Sequence, residues 1–125
     1  MSSFADTMEV IREEDVTGDG KVKKNVFEEG DGDLPNSGDK VHVHYRGTFE
    51  DGSEFDCSYK RDPLPFKVGA GQVIKGWDMG VATMKVGEKA QLVIHSDYGY
   101  GNRGYPPIIP AKATLLFDVE LMKID

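Results

Sequence analysis

A single cysteine, Cys57, stands among the 125 residues, so no disulfide can close within the chain. Such usage fits a reducing compartment, and a cytoplasmic location, with the nucleus as a further one, is the expectation. Leucine is scarce. Six Leu against twelve Val, with 15 Gly and 6 Pro, disfavours a helical bundle and leans toward strands and tight turns. No apolar run approaches the ~18 residues of a membrane span, and the first 20 residues are too acidic for a signal peptide, so no membrane partner is expected. A basic stripe is also missing, which removes nucleic acid as a main partner. The net charge is −7. Residues 1–38 hold 10 acidic and 4 basic side chains, whereas the remainder holds 12 and 11. The acidity therefore belongs to the N-terminal segment.

What is present suits one domain of ordinary size. Residues 1–14 scatter Phe4, Met8, Val10 and Ile11 among acids without a long period. They read as a mostly mobile tail in which only Val10 and Ile11 could dock. Residues 1–20 are thus taken as an acidic extension and 21–125 as the domain. Val22 and Val26–Phe27 suggest an edge strand. Val41, Val43 and Tyr45 alternate with His42, His44 and Arg46, the pattern of a half-buried strand. Asp51-Gly52 between strand formers predicts a hairpin, and residues 59–65 read as a loop. Ile74, Trp77, Val81 and Met84 recur at helical spacing, with Gly76 and Gly80 keeping that helix short. Ala90–Ile94 and Leu115–Ile124 are two further strands. Between them, residues 95–113 form a loop too rich in Tyr98, Tyr100, Tyr105, Ile108 and Ile109 for simple disorder. The class is α+β, an antiparallel sheet with one short helix.

Several motifs fail on inspection. Asp15–Gly20 opens like a calcium loop, but position 3 is Thr17 and Val26 stands where a bidentate Glu is needed, so a turn is expected. Gly69-Ala70-Gly71 begins a dinucleotide fingerprint that Ile74 breaks. His42 and His44 share a strand face without a third ligand at useful spacing, and Cys57 lacks a recognisable base. No metal and no cofactor are expected. What survives is aromatic: Tyr45, Phe55, Phe66, Trp77, Tyr100 and Phe117, drawn from different elements, with Asp56 directly after Phe55. Each alone could be core. A carboxylate among rings is costly unless bonded, and that shifts the balance toward a site.

On VHVHYRGTFEDGSEFD (41–56), GQVIKGWDMGVATMKVGEKA (71–90), DYGYG (97–101) and IIPAKATLLFDVELMKID (108–125), the chain resembles the FK506-binding-protein type of peptidyl-prolyl cis–trans isomerase. The resemblance runs through residues 21–125. It implies an antiparallel sheet of five or six strands wrapped around a short helix, a monomer, and acceleration of Xaa–Pro bond rotation in proline-containing peptide or protein clients. It also implies binding of tacrolimus- or rapamycin-type macrolides. Carried over by position, the catalytic set is Asp56, Trp77, Tyr100 and Phe117. The binding set is those four with Tyr45, Phe55, Arg61, Phe66, Val73, Ile74, Tyr105, Ile108 and Ile109. Trp77 would be the floor, the Ile74 N–H and the Tyr100 hydroxyl would bond ligand carbonyls, and Tyr45 and Arg61 would hold Asp56. Members that act chiefly as chaperones or scaffolds keep a second function open, a proline-segment or macrolide binding module with incidental turnover. Tyr105 stands where the family often has His, Val68 replaces a common aromatic, residues 59–65 are one longer and residues 68–72 two shorter. The acidic extension is similar to the leader of larger relatives.

Overall fold

The computed structural model describes residues 3–125. Seven strands form one antiparallel sheet: β1 (Arg12–Asp15), β2 (Val22–Glu28), β3 (Lys40–Phe49), β4 (Glu54–Cys57), β5 (Leu64–Lys67), β6 (Lys89–Ile94) and β7 (Leu115–Ile124). Their spatial order is β1-β2-β6-β7-β3-β4, with β5 beside the first half of β3. Two helices accompany them, α1 (Phe4–Thr7) and α2 (Lys75–Val81), and a 3₁₀ turn at Ser96–Tyr98 follows β6.

The alternation read from the sequence sets the buried face. Val41, Val43 and Tyr45 of β3, Ala90, Leu92 and Ile94 of β6, and Leu115, Phe117, Val119 and Leu121 of β7 all point into one core. A strand has period two, so these rows fall on one side of the sheet. The Asp51-Gly52 hairpin forms as expected, with Gly52 at φ +88° and its N–H donated to the Phe49 carbonyl. Helix α2 lies against β2 and β6. Its glycines explain the fit: a Cβ on Gly76 would stand 2.7 Å from Ile94, and one on Gly80 would stand 2.8 Å from Leu92. Glycine therefore lowers helix propensity here in exchange for a close helix–sheet approach. Met84 continues the apolar row past the helix end and is fully buried in the turn.

Four expectations are corrected. Strand β2 is interior, because β1 pairs along it from Arg12↔Val26 to Asp15↔Lys23. The boundary at residue 20 consequently falls inside the sheet. The segment before it also makes long-range contacts, with Phe4 donating its N–H to Asp118 at 2.9 Å and its ring meeting Phe27 edge-on. Scattered apolar residues gave no period there because one strand of four residues and one helix of four are too short to show it. Within residues 59–65, Leu64 and Pro65 belong to β5, where Pro65 is tolerated at a sheet margin. The sheet has seven strands rather than five or six, the extra ones being the short β1 and β5.

An ion pair is buried beside β1. Lys24 shares the inward row with Val22 and Val26, and its Nζ donates to Glu88 at 2.8 Å and to the Thr83 carbonyl at 3.0 Å. Burial pulls the Lys24 ammonium below its usual pKa, opposed by Glu88. Glu14 and Arg12 of β1 flank this pair, at 3.7 Å from Lys24 and 4.0 Å from Glu88.

Candidate functional site

Tyr45 of β3, Phe117 of β7, the hairpin strand β4 and the start of α2 surround an open cleft of about 220 Å³. Its floor is Trp77, on α2. The indole is buried and meets Tyr45 at 4.9 Å and 78°, Phe117 at 5.2 Å and 88°, and Phe66 at 5.9 Å and 52° between ring centroids. Phe55 closes on Phe117 at 5.5 Å and 83°. Near-perpendicular pairs let the positive edge of one ring face the negative face of the next. Gly47 makes the Phe55–Phe117 pair possible. It sits on β3 between Asp56 and Phe117, and a Cβ there would lie 2.6 Å from the Phe55 ring and 2.8 Å from the Phe117 ring.

One polar triad stands in the wall. The Tyr45 hydroxyl donates to Asp56 Oδ2 at 2.6 Å, and Arg61 donates to the Tyr45 hydroxyl at 2.8 Å and to Asp56 Oδ1 at 3.0 Å. Desolvation, then the bond to Asp56, pushes the Tyr45 phenol up to about 12. Tyr45 is therefore a neutral donor at any physiological pH. Arg61 and Asp56 are well exposed, so their ion pair orients more than it stabilises. Tyr100, itself partly exposed, reaches the cleft from the long loop, and partial desolvation there shifts its phenol pKa upward as well.

The structure thus gathers Tyr45, Phe55, Asp56, Val73, Ile74, Trp77, Tyr100 and Phe117 on one cavity. The other five expected residues do not line it. Arg61 acts from outside through Asp56, and Phe66 is buried in the core against Trp77. Ile109 is buried and bonded to Tyr105 through both backbone groups, at 2.8 Å each way, which turns its side chain into the core. Tyr105 and Ile108 stand outside at 60% and 53% exposure, Tyr105 stacked obliquely on Tyr100. Two lining residues were missed, Leu64 and Gln72. Only the short Pro63-Leu64-Pro65 motif carried a signal for the first, and polar Gln72 carried none.

The histidines are occupied elsewhere, His42 with Asp125 at 3.0 Å and His44 with Ser58 at 2.8 Å. Among the described residues no three His, Cys, Asp or Glu side chains are grouped to hold a metal, and no helix is long and apolar enough to cross a membrane. The model of the family described as FKBP-type peptidyl-prolyl cis-trans isomerase matches residues 32–122. The chain belongs to this family.

Curated relatives agree along most of their length. FK506-binding protein 1A of Aspergillus fumigatus is 52% identical over 106 residues, covering 83% of this chain and 95% of the relative. Peptidyl-prolyl cis-trans isomerase Fkbp12 of Drosophila melanogaster is 52% identical over 98 residues, 77% of this chain and 91% of its own. FK506-binding protein 1 of Saccharomyces cerevisiae is 50% identical over 109 residues, 86% and 96% respectively. The FKBP-type family model begins at residue 32, so β1 and β2 lie outside the matched span.

Proposed function

We propose that this chain accelerates cis–trans rotation of Xaa–Pro bonds in peptide and protein clients, and that tacrolimus- and rapamycin-type macrolides occupy the same cleft. The observation that carries the reading is the open aromatic cleft floored by buried Trp77 in a chain of the FKBP-type family. The barrier to rotation is about 18–20 kcal/mol because amide resonance gives the C–N bond double-bond character. Uncatalysed exchange takes on the order of 10–100 s, and a thousandfold gain needs roughly 4 kcal/mol of differential stabilisation.

The cleft can supply that without proton transfer. The planar amide is the more charge-separated form, so an apolar surround raises it relative to the twisted amide and lowers the barrier between them. A prolyl ring packed on Trp77, between Tyr45 and Phe117, fixes one half of the bond while the preceding carbonyl turns. Tyr100 and the N–H of Ile74 supply donors to the flanking carbonyls, and Asp56, held by Tyr45 and Arg61, faces the turning carbonyl. The catalytic set read here is Asp56, Trp77, Tyr100 and Phe117. Work as a monomer in the cytoplasm, assisting the folding of client proteins, completes the reading.

The test is exchange of one Xaa–Pro peptide at substoichiometric protein. Catalysis is expected at a protein-to-peptide ratio of about 1:100, a rate gain that only a turning-over site can give. Macrolide binding without any such gain would leave a binding module in its place.

A further inference from the structure

The loop from β5 to α2 carries three cleft residues, Gln72, Val73 and Ile74, yet no sheet ladder holds it. Backbone bonds of Val68 with Gly38 and Asp39 fix its start, and beyond them its hold is a side chain. Asp78, in the first turn of α2, accepts the Gly69 N–H on Oδ1 at 3.0 Å and the Gly71 N–H on Oδ2 at 3.0 Å. Both glycines lie in the left-handed region, at φ +79° and +72°, which brings two nearby N–H groups onto one carboxylate. Gln72 adds a second tie, accepting the Lys67 N–H at 2.9 Å. Just past this clamp, the N–H of Ile74 goes to no backbone acceptor among the described residues, while the Ile74 carbonyl is taken by Trp77 and Asp78. One helical turn therefore carries both the floor of the cleft, Trp77, and the clamp on its rim, Asp78.

The geometry points to Asp78 as a positioning residue: through Gly69 and Gly71 it sets the rim loop so that the Ile74 N–H faces the ligand carbonyl. This rests on the reading of the cleft given above. A carboxylate in a first helical turn also favours the helix by itself, through the partial positive charge of the exposed N–H groups. That purely structural effect would lower thermal stability and leave ligand affinity alone, so the two are separable.

The experiment is steady-state exchange of an Xaa–Pro peptide, rapamycin affinity, and amide hydrogen exchange at Gly69 and Gly71, in wild type, Asp78→Asn and Asp78→Glu. The amide of Asn keeps one acceptor of two, so KM and the rapamycin Kd should each rise about five- to tenfold, with kcat within about twofold. Exchange at Gly69 or Gly71 should quicken. Glu restores both acceptors and should recover most of the affinity. If Asp78→Asn fails to fold, Asp78→Ser carries the test with the same expected rise. Unchanged KM and Kd in a folded variant, or a fall in kcat alone, would overturn the assignment. A wild-type chain that neither turns over the peptide nor binds rapamycin would instead sink the reading of the cleft, and this inference with it.

Discussion

Trp77 donates its indole N–H to no acceptor among the described residues, although the nitrogen is buried. A buried donor left unmet costs about 1–3 kcal/mol, a cost unusual for a residue that serves only to fill a core. The position belongs to the cleft, and its removal should be felt there first. Trp77→Leu is expected to keep the fold, by circular dichroism, while peptide turnover and macrolide affinity fall together. Truncating a buried aromatic costs ~3–5 kcal/mol and Leu keeps part of that, so some destabilisation accompanies the loss. An insoluble variant would make Trp77 a core residue and nothing more. The neighbouring phenols give a second expectation. With Tyr45 held at about 12 and Tyr100 also pushed upward, both stay protonated through neutrality. No histidine lines the cleft. Turnover at constant ionic strength should therefore be nearly flat from about pH 6 to 8.5, a range that excludes phenol titration. A tenfold change through that range would assign a proton-transfer role to an ionising group and remove desolvation as the main effect.

At the scale of elements, α2 shows how far the sequence could be read. The spacing of Ile74, Trp77 and Val81 located the helix, and the Gly76 and Gly80 positions announced that it would be short. Their reason lay outside the helix, in the side chains of Ile94 and Leu92 across the interface. Propensity alone makes Gly80→Ala stabilising by about 1 kcal/mol. Contact at 2.8 Å with Leu92 reverses the sign. Overpacking should cost ~1–3 kcal/mol, to be read as a lower denaturation midpoint with an unchanged slope. A stabilised Gly80→Ala would mean that helix and sheet can part without loss. The strands β3, β6 and β7 were legible because each presents an alternating row, whereas β2, with Lys24 between Val22 and Val26, was read only from its valines and placed at an edge. β1 and β5 were not, since four residues with charge or proline between them carry too little pattern. The cleft was legible where aromatics announced it. Ile109, bridged to Tyr105 through its backbone, and Phe66, packed on Trp77, belong to the buried core of the structure.

For the molecule as a whole, the acidic segment contributes β1 to the sheet, and none of its described residues lines the cleft. Arg12 is bound to Glu29 and Glu14, and this cluster covers the Lys24–Glu88 pair, both partners of which are almost fully buried. Removing residues 1–14 deletes most of β1 and the first turn and opens that pair to water. Turnover should stay within about twofold, because no described residue of the segment lines the cleft. Stability should drop by about 2 kcal/mol, roughly 5–10 °C in melting temperature. A tenfold loss of turnover would place the leader in the working of the cleft.

Helix α2 has seven residues, an apolar N-cap at Ile74 with no side-chain bond, and two glycines. Isolated helices shorter than about 12–15 residues are marginal in water, and this one has less to offer than most. The floor of the cleft exists only while β2 and β6 stand behind it. Ligand binding and global folding are therefore linked equilibria: a macrolide at a hundred times its Kd should add about 2.7 kcal/mol to every amide that exchanges by whole-molecule unfolding. Amides of β1, opening by local fraying at the sheet margin, should gain nothing. The ligand would thus divide the protein into a cooperative unit it protects and a margin it does not.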